Sequence, residues 1–113
     1  MRVGNHTNVP RAEVTLTLNG NAADKERANA LRPRFRACAN HALALDPTQR
    51  GQLTIMVTIG KNGEVTKADI ANNAGLSATS AQCMLTGVRV AQFAAGDERA
   101  LVITVVQTAS QSP

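Results

Sequence analysis

The sequence predicts an α+β fold, in which an antiparallel sheet of three to four strands carries two helices on one face. Two observations indicate this class. Several short segments alternate apolar and polar residues, which is the period of a half-buried strand. Two longer segments repeat apolar residues every three or four positions, as amphipathic helices do. The resulting order is strand, helix, strand, strand, helix, strand, which is typical of a small α+β sandwich.

The chain has 113 residues and is expected to form one domain. Residues 1–12 are polar and contain a proline, and residues 109–113 are also polar. We interpret them as a flexible lead-in and tail around a domain that spans residues 13–108. No apolar run approaches the roughly 20 residues that cross a bilayer, so we expect any membrane attachment to come through an anchor outside this chain.

The first strand is predicted over Glu13–Leu18, where apolar and polar residues alternate before an Asn-Gly-Asn turn. A helical segment follows over Ala22–Leu45, with Asn21 or Asp24 as the residue that caps its start. Pro33 interrupts this segment. Because a proline ring clashes with the preceding helical turn, we expect a kink, or a short helix followed by a longer one that starts near Pro33.

A β-hairpin is predicted over Gly51–Ile70. Alternating residues up to Ile59 form its first strand, and the β-prone run from Val65 forms its second. The Asn62-Gly63 pair between them is a strong hairpin signal, because both residue types accept a positive φ.

The second helix is predicted to start after a cap at Ser77 or Thr79 and to run to about Phe93. The final strand has almost continuous apolar residues, which is typical of a strand covered on both faces or central in a sheet. This strand contains Leu101, Val102, Ile103, Thr104, Val105 and Val106.

Cys38 and Cys83 each lie in a predicted helix. They lack the spacing of a zinc site, and two thiols alone cannot fill one. Spacing alone leaves two interpretations open: two buried small hydrophobes, or one disulfide that ties the helices together. A disulfide would place the domain in an oxidising compartment.

The residues indicate no catalytic or metal site and no cofactor. The acidic residues are scattered over turns and strand ends, and they form no pair suited to acid/base chemistry. A thiol enzyme using Cys38 and His41 is a weak hypothesis, because a helical cysteine on an apolar stripe is poorly placed for attack. The bottom-up interpretation is an α+β domain without an active site.

The basic residues suggest another function. The net charge is +4, and a cluster spanning Arg27–Arg36 could make the chain a cytosolic nucleic-acid-binding domain. Phe35 and Phe93 are the only aromatic residues. This composition weighs against nucleic-acid binding by base stacking, which requires aromatic platforms.

The spacing of several residues resembles the TonB-like C-terminal domains of bacterial envelope proteins, and most closely the AgmX/PglI type of gliding-motility and energy-transducing proteins. The family pattern is P-x-x-R-x-C-Y-x-x-x-L-x-x-x-P, then G-x-V-x-V-x-F-x-I-x-x-x-G-x-V, then C-V and F-P. The matching positions here are Pro33, Arg36, Cys38, Leu43, Pro47, Gly51, Leu53, Ile55, Val57, Ile59, Gly63, Val65, Cys83, Met84 and Phe93. The sequence departs from the pattern at Ala39 and Ala94, and its last strand lacks the family's aromatic residues.

This resemblance implies a non-enzymatic periplasmic domain, as the C-terminal part of an inner-membrane-anchored protein. It also implies that Cys38 and Cys83 are disulfide-bonded. Its implied partner is a segment of an outer-membrane or periplasmic protein, bound by strand addition at a sheet edge. By analogy that edge is Leu101–Val106, although Glu13–Leu18 is an additional strand that could occupy it. The resemblance implies no small-molecule substrate, and an edge strand also makes a strand-mediated dimer plausible.

Overall fold

The computed structural model describes residues 10–111. In that part of the chain, four strands and three helices follow one another as β1 (Pro10–Leu18), α1 (Ala22–Asn29), α2 (Arg32–Leu45), β2 (Gly51–Ile59), β3 (Val65–Ala74), α3 (Ala78–Arg89) and β4 (Arg99–Gln111). The strands form one antiparallel sheet in the spatial order β1-β4-β2-β3. The predicted α+β class is confirmed.

The first helical segment is divided in two, as the proline predicted. Pro33 is the second residue of α2, where its missing N–H is tolerated because first-turn amides have no partner within the helix. Asn21 caps α1, and its side-chain oxygen accepts a hydrogen bond from the Asp24 amide at 2.8 Å. The expected short helix followed by a longer one near Pro33 is confirmed.

The predicted hairpin is formed by β2 and β3, and two glycines shape its turn. The Gly63 amide donates to the Gly60 carbonyl at 2.9 Å, and the Gly60 amide donates to the Glu64 carbonyl at 2.8 Å. Gly63 has a φ of +85°, whereas no described residue other than glycine has a positive φ. Asn62 therefore does not use the positive φ that its residue type accepts. The loop is a turn closed by one left-handed glycine.

The hydrophobic core lies between the sheet and the helices, on one face of the sheet. Its largest fully buried apolar side chains come from all these layers: Phe35, Leu43, Leu53, Ile55, Val57, Ile59, Met84, Val88, Phe93, Leu101 and Ile103. The opposite face of the sheet is open, and Met56 of β2 is 51% exposed there. This one-sided arrangement explains why the strands alternate apolar and polar residues.

Two strands extend beyond their predicted limits. Residues 10–12 and 109–111 pair with each other across β1 and β4, so assigning them to a flexible lead-in and tail was wrong. Their polar composition hid the strands, because the hydrogen bonds come from a segment distant in sequence. Residues 1–9 and 112–113 lie outside the described part of the chain.

The second long helix ends earlier than predicted. It stops at Arg89, and the chain then turns back so that the Phe93 amide donates to the Gly63 carbonyl at 2.8 Å. Phe93 is buried in the core. It therefore anchors the segment after the helix to the hairpin turn.

Candidate functional site

A disulfide bond joins Cys38 of α2 to Cys83 of α3, with their Cα atoms 5.9 Å apart. The pairing that the resemblance implied is thus confirmed, and the alternative of two unlinked hydrophobes is wrong. The two sulfur-bearing residues differ in environment, since Cys38 is 4% exposed and Cys83 lies at the surface. The bond fixes the two long helices to each other on top of the sheet.

The strand predicted to offer a binding edge lies in the interior of the sheet. β4 pairs with β1 on one side and with β2 on the other. Even at Val102, near the start of the strand, Asn19 occupies the β1 side: its side-chain oxygen accepts from the Val102 amide at 2.7 Å. The assignment of Leu101–Val106 as an edge is therefore wrong, and the additional N-terminal strand is the reason.

The exposed edges of the sheet are instead β1 and β3. Along β1, the amide of Ala12 points away from β4, because it donates to the Asn40 side chain of α2 at 2.9 Å. Backbone groups alternate in direction along an antiparallel pair, and the β1–β4 register is unbroken. The amides and carbonyls of Val14 and Leu16 therefore also point outward. Within residues 10–111, no hydrogen bond engages them.

The β3 edge is more fully covered. Arg89 at the end of α3 donates from Nη2 to the outward carbonyl of Ala68 at 3.2 Å. At the start of the strand, Glu64 forms an isolated antiparallel bridge with Gln92. The β2–β3 register also shifts twice, between Thr54 and Ile55 and between Thr58 and Ile59. Such irregularities bend a strand and weaken it as a template for pairing.

Asn40 and Arg89, whose side chains reach the sheet edges, were not predicted from the sequence. Both lie on helices, where a polar residue ordinarily faces solvent. Only the tertiary packing of α2 beside β1 and of α3 beside β3 brings them to strand backbones. No local pattern in the sequence carries this information.

The start of the central strand is held by a buried ion pair. Arg99 donates from Nε and Nη2 to the two carboxylate oxygens of Asp24, both at 2.7 Å. The Arg99 side chain is 20% exposed and that of Asp24 only 3%. The hydrogen bonds from Arg99 hold the pKa of Asp24 below its ordinary value, although burial acts in the opposite direction. This pair fastens α1 to β4.

The arginines of the predicted basic cluster are spread over α1 and α2. Arg27 donates from Nη1 to the Gln92 carbonyl at 3.2 Å. Arg34 lies against α3, where a Cβ on Gly87 would be only 2.6 Å from its Cδ. These two side chains make contacts within the fold, although they are exposed, as Arg32 and Arg36 also are.

The residues considered for chemistry do not form a reactive group in this structure. Cys38 is bonded to Cys83, so it offers no thiolate to a neighbouring His41. Across residues 10–111, no three His, Cys, Asp or Glu side chains are grouped to hold a metal ion. None of the described helices combines the length and apolar character that crossing a membrane requires.

The chain was compared with protein-family models, curated proteins and solved structures, and none matches significantly. The candidate site therefore rests on geometry alone. It consists of the outward backbone groups of β1, beside the helical layer that the disulfide holds together.

Proposed function

We propose that this protein is a non-catalytic, TonB-like interaction domain of the bacterial periplasm, which binds an extended segment of a partner protein by strand addition. The single observation that carries the proposal is the outward-facing backbone of Val14 and Leu16 on β1, which no hydrogen bond engages among the described residues. Such groups are a template for another strand. The resemblance to envelope domains supports a place in an energy-transducing, motility or transport complex.

The β1 edge suits this role better than the β3 edge. Its pairing with β4 has no register shift over nine residues, so an added strand can continue a regular ladder. Leu16 and Leu18 are half-buried and pack against the core, which leaves part of each side chain for a partner to cover. We therefore expect a partner segment with apolar residues at alternate positions on its helix-facing side.

The disulfide supports the periplasmic location. Disulfides persist in oxidising compartments such as the periplasm and are rare in the cytosol. If the protein is recovered from the periplasmic fraction of Gram-negative cells, mass spectrometry without reductant should find no free thiol. Free Cys38 and Cys83 in that fraction would contradict this location.

The binding edge can be tested with two proline substitutions. Leu16→Pro removes an outward amide from β1 and leaves the inward ladder intact, because proline is tolerated only where the N–H faces away from the sheet. Ile70→Pro is the matched control, since Ile70 is also half-buried and shares the outward orientation of Ala68 on β3. Far-UV circular dichroism and thermal unfolding check that both variants fold.

Peptides that bind the oxidised wild-type protein can be selected from a random library displayed on phage. We expect Leu16→Pro to abolish their binding and Ile70→Pro to leave it unchanged. Hydrogen exchange at the Val14 and Leu16 amides should slow when such a peptide binds. If binding survives Leu16→Pro and fails with Ile70→Pro, the partner edge is β3 and the proposal for β1 is wrong.

A second copy of the chain is a competing occupant of the same edge. Analytical ultracentrifugation distinguishes this case. A dimer of the wild-type protein that dissociates in Leu16→Pro would assign β1 to self-association, whereas a monomer leaves the edge to a different partner.

A further inference from the structure

The open edge of β1 runs beside one flank of α2. Asn40 of this helix accepts a hydrogen bond from the outward amide of Ala12 at 2.9 Å, which fixes where the helix and the strand meet. Residues four apart lie on the same flank of a helix, so Arg36 and Arg32 precede Asn40 along this flank. The disulfide lies on the other flank, where α2 meets α3.

α2 runs antiparallel to β1. The preceding helix α1 lies at the end of the sheet where β1 finishes and β4 begins, because Asp24 binds Arg99 there. Near the end of α1, Arg27 donates to the Gln92 carbonyl beside the hairpin turn, at the same end of the sheet. Since α2 starts shortly after α1 and contacts the opposite end of β1 through Asn40, the helix runs back along the strand.

This direction places the two arginines beside the open backbone groups. Four helical residues rise about 6 Å, which corresponds to about two residues of a strand. One turn before Asn40, Arg36 therefore lies beside Val14, and one turn earlier Arg32 lies beside Leu16. Both arginines are exposed. The part of β1 that can accept a strand is thus flanked by two guanidinium groups.

Neither arginine has a carboxylate partner among the described residues. The ion pairs of that part of the chain join Asp24 and Asp69 to other cations. α2 contains no acidic residue, and the helix-facing side of β1 is apolar. Glu13 lies on the other face of the sheet, the Asp46 carboxylate accepts hydrogen bonds within its own turn, and Glu26 of α1 stands between two basic residues. This flank is therefore positively charged.

We propose that the segment added to β1 is acidic, with a carboxylate opposite Val14 and apolar residues opposite Leu16 and Leu18. This inference rests on the proposed strand addition and names the chemistry of the partner. Residues opposite each other in neighbouring strands point to the same face, so the side chain opposite Val14 faces Arg36. Val14 is already buried and offers no apolar surface to cover. An arginine instead pairs with a carboxylate through two parallel hydrogen bonds, and Arg32 adds to the attraction.

A second copy of the chain does not fit this chemistry. Its own β1 would offer apolar side chains at the helix-facing positions, and its α2 would bring two further arginines to the same junction. Like charges placed together oppose association, and the net charge of each chain is +4. The occupant that complements this edge is therefore an acidic segment of a different protein.

Peptides of ten residues, selected from a random phage library on the oxidised wild-type protein, are the probes. Those whose binding Leu16→Pro abolishes should carry Asp or Glu two positions from an apolar residue. Selection on Arg36→Glu should instead enrich Lys or Arg at that position. Arg34→Glu is the matched control, because Arg34 is an exposed arginine of the same helix but lies against Gly87 of α3. It should select the same acidic pattern as the wild type.

Fluorescence anisotropy then measures the contact with the tightest wild-type peptide. Replacing its acidic residue with the corresponding amide should weaken binding to the wild type about fivefold. The same replacement should have almost no effect on binding to Arg36→Gln, whereas the fivefold loss should persist in Arg34→Gln. A peptide with lysine at this position should bind Arg36→Glu about tenfold more tightly than the wild type. Thermal unfolding checks that these exposed substitutions leave the fold intact.

Three results would overturn the inference and leave strand addition standing. Peptides that depend on Leu16 might carry no acidic position, Arg36→Glu might select an unchanged pattern, or Arg34→Gln might remove the effect of the acid as fully as Arg36→Gln does. A wild-type dimer that dissociates in Leu16→Pro would also overturn it. If acidic peptides bind Leu16→Pro as tightly as the wild type, or if no peptide is selected, strand addition itself fails and this inference fails with it.

Discussion

The two edges of the sheet are protected to different degrees. Along β1, one described hydrogen bond reaches an outward backbone group, from the Ala12 amide to Asn40. Along the β3 side, Arg89 caps the Ala68 carbonyl, and the segment at Gln92 bridges Glu64. The β1 ladder is regular, whereas the β3 ladder contains two register shifts.

This difference shows that the helical layer decides which edge can accept a strand. The chain leaving α3 folds back along the start of β3, and Arg89 covers a carbonyl further along. α2 packs beside β1 but supplies a single side-chain acceptor. Bulges and covering segments are common means of preventing unwanted pairing. Their concentration at β3 leaves β1 as the edge that is more open to an added strand.

The largest effect on stability is expected from removing the disulfide. It joins α2 and α3, the helices whose side chains reach the two sheet edges. In a Cys38→Ala/Cys83→Ala double variant, the chain-entropy model predicts a loss of about 4 kcal/mol in the free energy of unfolding. Urea denaturation measures it against the oxidised wild type. A loss below about 1 kcal/mol would mean that packing alone positions Asn40 and Arg89 at their respective edges.

The next largest effect on stability is expected at the start of the interior strand β4, where Arg99 pairs with Asp24. Asp24→Asn leaves the partly exposed Arg99 guanidinium without its carboxylate, while its hydrogen bonds to the Asp97 and Ala94 carbonyls remain. Losing the charge-assisted bonds to Asp24 should cost about 2 kcal/mol. The matched control is Asp69→Asn on β3. The Lys67–Asp69 pair is 3.8 Å apart with exposed side chains, so its loss should change stability by less than about 0.5 kcal/mol.

The Asp24–Arg99 pair should also make the free energy of unfolding depend on pH. The pKa of Asp24 is lower in the folded protein than its ordinary value of 3.8. Its stabilisation is therefore fully present above that value and is lost as the pH falls through the folded pKa. Urea unfolding at decreasing pH should show this loss in the wild type and less of it in Asp24→Asn. Identical acid profiles would contradict the assignment.

Arg89→Ala should have a smaller effect on stability. It also tests directly which sheet edge accepts an added strand. The change removes a hydrogen bond from a charged donor at the β3 edge, for which we expect a loss of about 1.5 kcal/mol. It also uncovers the Ala68 carbonyl. Peptides selected for strand addition should then bind Arg89→Ala/Leu16→Pro measurably, although we expect them not to bind Leu16→Pro alone. Complete loss in the double variant would show that the bulges suffice to close β3.

The smallest effect is expected at the other edge. Asn40→Ala frees the Ala12 amide, and losing one neutral hydrogen bond should cost about 1 kcal/mol or less. Hydrogen exchange at Ala12 should accelerate, whereas exchange at Val57 in the interior strand β2 should not. Asn40→Asp keeps an acceptor oxygen and should restore slow exchange. Equal exchange in all three proteins would mean that the bond contributes nothing in solution.

Local patterns in the sequence predicted much of the fold. The alternation of residues 51–59 identified β2, and Pro33 marked the break between two helices. The near-continuous apolar run of residues 101–106 indicated a central strand, and the sheet order confirms that interpretation. The analogy that placed an edge at this strand was wrong, because the additional strand at residues 13–18, which could already be seen in the sequence, pairs with it.

The candidate site was less accessible to sequence reasoning. The β1–β4 pairing joins segments about as far apart as the described chain allows, and such non-local pairing has no period to detect. The contacts of Asn40 and Arg89 depend on how helices lie over the sheet.

The pairing of Pro10 with Gln111 has a mechanical consequence. The described chain enters and leaves the domain on neighbouring antiparallel strands, at the same end of the sheet. Tension applied between these two points loads the β1–β4 hydrogen bonds one after another, as in opening a zipper. A partner strand paired with β1 can be pulled in another way. If the pull makes β1 and the partner strand slide past each other, several hydrogen bonds between these two strands bear the load at once. A domain built this way resists force according to where it is pulled.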